Sequence, residues 1–496
     1  MMATAPATPR LGVPGKVVIL GCGSVSRCVQ PLLLRHLDMD FRHLTIIDIE
    51  DLRSAIPATL QAGARFERLQ LTPANLAREL ARLAGPGDLV LNLTWNIDTG
   101  DIVTVCREIG ALYIDTSVEV WDPYSGDVAS PADRTLYARH MTMRERTRHW
   151  AGQGPTAIVD HGANPGLISH WTRRGLADLA TELLKTGDQL PVPLSQDRAR
   201  RVEDLLGAAD WPRLACELGV KVIHCAERDT QISSRPKTVG EFVNTWSVPG
   251  FHEEALWAPA ELGWGTHERW QPPGALTYQS GPRNQICLSQ LGADTWVRSW
   301  VPTYGTIHGM VIRHGEAFTI SEALTVYDDI GQPAYRPSVY YAYVPADCAL
   351  ASLHECRMND YQLQDRYRVM TDDEIISGRD ELGALLLGHD LTGWWTGSQL
   401  TIEESRALVP GQNATTLQVA ASILGAISWI IANPNRGLCT PEDVDHEPVL
   451  QVADLYLGNC PSLQTSWTPL ANLAAHPLAD PTPAAGPCQF KSFLVN

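Results

Sequence analysis

A chain of 496 residues exceeds what one hydrophobic core usually supports, and 44% hydrophobic with 19% charged residues is the balance of a folded protein of two domains, not of a disordered one. A formal charge of −17 argues against a general nucleic-acid binder, which needs a basic face for phosphates, and suits a small cationic substrate. The eleven cysteines show no CxxC pair or zinc spacing, and the N-terminus lacks the apolar core of a signal peptide. The expectation is a cytoplasmic protein with reduced, mostly buried thiols, no metal site and no membrane partner.

In chain order, Met1 to Pro14 reads as having little regular structure. Lys16 to Leu20 is then a short β-branched strand, followed by a glycine turn and a helix over Val25 to Leu37, whose apolar residues recur at helical spacing. Further strands are expected at Leu44 to Ile47, Arg65 to Leu71, Asp88 to Leu93, Ala111 to Ile114 and Ala157 to Val159, with helices at Asn75 to Leu83 and Asp101 to Ile109. Strands alternating with helices predict an α/β fold with an N-terminal Rossmann doubly wound parallel sheet. Asn164-Pro165-Gly166 can continue neither strand nor helix and marks a crossing loop. The predicted organisation is a nucleotide domain over 15–163 and a mixed α/β catalytic and dimerisation domain over 164–395. A helical segment over 396–475 is expected to pack back on the first. Within the second domain, Val220 to His224, Gly309 to Ile320 and Ser338 to Val344 read as strands, and 186–204, rich in charge and proline, as a surface insertion. Val419 to Ala432, within a helical stretch from about 414 to 432, is short for a bilayer and reads as a buried helix, and Ala475 to Pro487 as irregular.

Gly21-Cys22-Gly23-Ser24-Val25-Ser26 follows a strand and opens a helix, the context that a dinucleotide fingerprint requires. Gly21 permits the tight turn, Gly23 lets backbone approach the pyrophosphate, and Ser24 and Val25 begin the helix whose N-terminus receives the charge. Ser26 replaces the third glycine and should push the helix slightly from the strand. Asp48, ending the second strand, is placed to accept the ribose hydroxyls and repel a 2′-phosphate, so the expected cofactor is NAD. Asn92 and Thr94, where the fourth strand ends, join the cofactor-binding set.

Several constellations follow. Asn164 in His161 to Gly166 either orients a reacting group or starts an Asx turn. Glu227, Arg228 and Asp229 are expected just beyond a strand, as an ammonium-binding group or a solvated charge cluster. In Val311 to Ile320 the strand period places His314 and Glu316 on one face, either to move protons to and from an amine or as an exposed ion pair. Trp246 is one of fifteen tryptophans, most of which must be core.

Taken in order, His161 to Gly166, His224 to Gln231, Glu241 to Val248, the His-x-Glu pair and Gln412 to Thr415 resemble the bacterial homospermidine synthases, within the saccharopine-reductase-like group, over roughly residues 15 to 470. The resemblance implies a homodimer with bound NAD, reduced and reoxidised within one turnover. Putrescine is oxidised to an imine, ammonia is lost, a second putrescine or other aminobutyl donor condenses, and the Schiff base is reduced to homospermidine. It further implies Glu119, Glu227 and Asn164 at the inner amine, with Asn164 also near the cofactor. His314 and Glu316 fall at the reacting nitrogen, Trp246 at a cationic intermediate through cation–π attraction, and Glu254 at the outer amine. Two other readings stay open: a carboxyspermidine-type reductive dehydrogenase acting on aspartate semialdehyde, and a non-enzymatic NAD-binding sensor or assembly factor.

Overall fold

The computed structural model describes residues 10–13, 15–124, 130–150, 152–471 and 486–495. Most of the two stretches expected to be irregular, Met1 to Pro14 and Ala475 to Pro487, lies outside these residues. The chain forms two compact units, one of residues 1–125, 142–163 and 416–456, the other of 126–141, 164–415 and 457–496. Each is therefore discontinuous in sequence, where the sequence alone suggests consecutive domains.

The first unit is built on seven parallel strands in the order Leu438–Cys439, Ala157–Ile158, Leu112–Asp115, Leu89–Asn92, Val17–Leu20, Leu44–Asp48 and Arg65–Arg68. Val17–Leu20, Leu89–Asn92 and Leu112–Asp115 are buried throughout, which is why they read as unbroken apolar runs and not as alternating ones. Strand order reverses beside Val17–Leu20, whose successors lie on opposite sides of it, so a crevice opens at its carboxyl end. The helix Ser24–His36 begins there.

The second unit carries a nine-stranded mixed sheet. At its centre Val222–Asp229 runs parallel to Ser338–Val344 and antiparallel to Arg379–Leu387. Paired residues point to the same side. One face therefore presents Ala226, Tyr340, Ala342 and Leu385, packed with Leu262, Phe490 and Phe493 in an apolar core. The other presents Cys225, Glu227, Asp229, Tyr341, Tyr343 and Asp380. The helices Leu167–Thr186 and Glu316–Ala323 pack against strands of this sheet.

Two expectations need correction here. Glu227, Arg228 and Asp229 do not follow a strand but complete one, and all three are buried. Val311 to Ile320 is not a strand. Gly305–Met310 ends before it, and Glu316–Ala323 is a helix, seated so close to Gly263 that a Cβ there would lie 1.9 Å from the Ala317 carbonyl oxygen. Residues 186–204, expected as a surface insertion, are mostly exposed and largely helical. The helix Leu167–Thr186 runs into them, and another, Gln196–Gly207, starts where the Ser195 hydroxyl accepts from the Arg198 amide. The apolar helix Ala414–Ala432 is long enough by composition to cross a membrane, but it is largely buried within the protein.

Candidate functional site

In the first unit, the glycine turn has the backbone its residues predict. Gly21 lies at φ +92°, where a Cβ would meet the Leu93 carbonyl oxygen at 2.7 Å, so only glycine fits. A Cβ on Gly23 would meet nothing, leaving open space beside the helix start. No side chain caps Ser24–His36 and no acidic residue occupies its first turn, so the amides about Ser24 and Val25 suit a phosphate group. Ser26 is accommodated without difficulty: it is buried and its hydroxyl accepts from the Gln30 amide at 3.2 Å. Asp48 braces the turn, one oxygen accepting from the Cys22 amide at 2.7 Å and the other from the Glu50 amide at 3.0 Å. Together these residues fit a dinucleotide.

A buried polar chain runs along the same sheet edge. Thr94 donates to Asn92 at 2.6 Å, Asn92 to the Tyr113 hydroxyl at 3.1 Å, and Tyr113 to Asp115 at 2.7 Å. The Thr99 hydroxyl donates to Asp115 and accepts from the Glu119 amide. Burial, and then the nearby Asp160, push the Asp115 carboxyl well above the usual range. Glu119 is buried and accepts from the Ser117 hydroxyl at 2.9 Å. His161, also of this unit, meets the Ser422 hydroxyl at 3.0 Å, and burial lowers its pKa to about 4. It is a structural histidine.

The second unit gathers the remaining residues singled out from the sequence. Asn164 donates to Glu227 at 3.0 Å, and the Tyr341 hydroxyl donates to the same carboxylate oxygen. Tyr341 stacks on Tyr343, whose hydroxyl accepts from the Trp246 indole at 2.8 Å. The His314 ring lies 4.5 Å from that of Tyr341. Its Nε2 is 3.0 Å from Glu254, on a single π-helical turn over His252–Trp257, and its Nδ1 is 3.4 Å from Glu316. The His314–Glu316 proximity thus arises from a loop entering a helix and not from strand alternation.

The electrostatics match this crowding. Burial alone would lower the His314 pKa, but Glu316 and Glu254 outweigh it and hold the imidazolium well above its ordinary range. Burial raises Glu227, and the neighbouring Asp229 adds to this while Tyr341, His314 and Asn164 offset part. Asp380 is raised well above the normal range by burial and by Glu227 and Asp229. Arg228 points to the opposite face, bonded to Asp347 and to the Pro345 carbonyl. Sequence reasoning missed Tyr341, Tyr343 and Asp380. The strand period of Ser338 to Val344 put the two tyrosines on one face, but only the pairing with Val222–Asp229 brings them to Glu227.

Residues 17–158 match the saccharopine dehydrogenase NADP binding domain and residues 162–459 the saccharopine dehydrogenase C-terminal domain. Fold and site therefore define a saccharopine-dehydrogenase-type protein with a Rossmann nucleotide domain. The chain is 41% identical over 488 residues to homospermidine synthase of Blastochloris viridis, covering 98% of both, and 38% identical over 490 residues to that of Mesorhizobium japonicum, covering 98% of this chain and 97% of that one. It superposes with a TM-score of 0.85, at 35% identity, on the homospermidine synthase of Legionella pneumophila in complex with NAD, covering 98% of this chain and 99% of that one. The protein belongs to the homospermidine synthase family.

Proposed function

We propose that this protein condenses two diamines, taking an aminobutyl group from putrescine with release of ammonia and joining it to a second putrescine to give homospermidine. The observation that carries this reading is the buried face of Glu227, Asp229 and Asp380, capped by tyrosines and adjoining a histidine held between Glu254 and Glu316. Such a surface is made for ammonium groups. A substrate carboxylate, as in the aspartate semialdehyde alternative, would need a cation not already paired there, whereas His314 is held by Glu254 and Glu316, and Arg313, beside it in sequence, directs its guanidinium to Glu253 and the Arg134 carbonyl.

NAD, held at Gly21, Gly23, Ser24 and Val25 with Asp48, Asn92 and Thr94 nearby, supplies an acceptor for hydride that is given back to the product. The chain's own residues do the rest. Glu227, oriented by Asn164 and Tyr341, holds one ammonium, and the arriving cation offsets the burial that otherwise keeps its proton on. Glu119 of the first unit is a further carboxylate for an ammonium group. Opposite the reacting nitrogen, His314 starts as an imidazolium. A second cation beside it weakens its hold on the proton, which is lost to solvent, and the neutral ring then takes one from the amine, with Glu316 orienting it. Glu254 meets the outer amine, and the half-buried Trp246 faces the cationic imine. The same reading carries a cytoplasmic homodimer that needs neither nucleic acid nor membrane.

Putrescine and catalytic NAD are expected to suffice for homospermidine and ammonia, followed by chromatography of the amines, with no build-up of NADH absorbance. A requirement for stoichiometric NADH, or for an aldehyde, would replace this reading by the reductive one. Asp48→Ala is expected to lower the preference for NAD over NADP by about ten-fold or more, the equivalent of one charge-assisted hydrogen bond of roughly 1.5–3 kcal/mol. An unchanged ratio of the two dissociation constants would mean that another residue reads the ribose.

A further inference from the structure

Glu253 and Arg313 are not among the residues assigned to the diamines, yet each is the chain neighbour of one that is. Glu253 precedes Glu254, and Arg313 precedes His314. Their side chains form an ion pair of 2.5 Å, 2% and 3% exposed. Arg313 also donates to the Arg134 carbonyl oxygen at 2.6 Å, and Arg139 forms a second ion pair with Glu253. One residue along each segment, His314 meets Glu254 at 3.0 Å. The two pairs are consecutive rungs between the same two pieces of chain.

No regular ladder joins the two pieces to each other. Glu254 lies on the π-helical turn His252–Trp257 that continues the short helix Val248–Phe251, and His314 lies between the strand end at Met310 and the helix start at Glu316. Glu254 keeps 22% of its side chain exposed, so its own bond to His314 is a weak constraint on the backbone beneath it. The fully buried rung is a stronger one, because removing Glu253 takes away the carboxylate shared by two guanidiniums, and removing Arg313 leaves Glu253 to Arg139 and cuts the tie to the Arg134 carbonyl. We infer that Arg313 is a positioning residue, whose ion pair with Glu253 staples the two segments at the spacing that lets Glu254 hold His314. The staple thereby sets how readily His314 exchanges protons with the substrate nitrogen. This rests on the proton-transfer role given to His314 above. The groups facing that ring are Glu254, Glu316, Tyr341 and, through its charge, Glu227.

The test uses Arg313→Gln and Arg313→Lys in the full-length protein, each also combined with Glu254→Gln. The wild type is assayed first for homospermidine from putrescine. No product would overturn the reading of the site and the staple with it, whereas with an active wild type every later outcome concerns the staple alone. Arg313→Gln, with native NAD affinity and a cooperative melt as evidence of folding, is expected to lose roughly ten-fold or more in kcat/KM. Its ascending pH limb should move to lower pH, since a displaced Glu254 no longer holds the imidazolium. In the Glu254→Gln background the same change should cost less than about two-fold, because nothing remains to be positioned. Arg313→Lys keeps a cation for Glu253 without the fork that also reaches Arg134, and should recover part of the loss. A pH limb that stays in place, or a full loss in the Glu254→Gln background, would overturn the staple. If Arg313→Gln does not fold, Arg313→Lys decides by the same two readouts.

Discussion

Trp246→Phe is expected to keep near-native thermal stability and NAD affinity while turnover falls roughly ten-fold, and Trp246→Ala to remain folded while losing at least about a hundred-fold. An indole facing a cation in a desolvated site contributes on the order of 2 kcal/mol, and phenylalanine retains the ring volume but less of that attraction. Trp246 is only half-buried, so its truncation removes less packing than the loss of a core tryptophan such as Trp171 or Trp395. The indole also donates to Tyr343, and Tyr343→Phe isolates that bond. If the hydrogen bond were the whole contribution, Tyr343→Phe would reproduce the Trp246→Phe defect. The attraction to a cation predicts a clearly smaller one. A Trp246→Phe enzyme with native turnover, or a Trp246→Ala protein inactive because unfolded, returns Trp246 to a packing role.

His314→Ala should lower kcat/KM more near pH 7 than near pH 9. An alkylamine resembles lysine, with a pKa of roughly 10, so without the imidazole the reaction follows the amine's own proton. The wild type should instead rise along a limb belonging to His314 and its two carboxylates, above the ordinary imidazole range, because Glu316 and Glu254 hold its proton against the effect of burial. Equal losses at both pH values would reduce the pair to a structural role. Stability carries an independent signature. The fold binds this proton more tightly than the unfolded chain does, so the stabilisation is fully present below the ordinary imidazole pKa and fades as pH climbs through the raised one. The melting-temperature deficit of His314→Ala is therefore expected to be largest near pH 6 and to narrow in alkali.

The first unit was largely legible because its signals are local. An apolar run, a glycine turn and an acid at the next strand end each depend on residues close in sequence, and each falls where expected within a residue or two. The second unit was less legible because its site is made by pairing. Glu227 resembled a solvated charge until Ser338–Val344 and Arg379–Leu387 were found on either side of it. His314 and Glu316 were rightly expected to be neighbours, but for the wrong backbone. A two-residue offset matches strand alternation, and it also serves a loop that ends on the first residue of a helix. The contact between Glu254 and His314, sixty residues apart, left no mark in local spacing.

The strand Val222–Asp229 alternates between two incompatible surroundings, with Ala226 and His224 on the apolar side and Cys225 and Glu227 on the acidic side. Deleting or inserting one residue upstream of it could not be absorbed by sliding the strand. A slip of one position would press carboxylates into hydrocarbon and turn alanine toward the amines. Length changes in this protein should therefore collect in the loops, while this strand tolerates exchange of side chains and not of register. A one-residue deletion between Gly219 and Val222 should abolish folding of the second unit, not merely its activity.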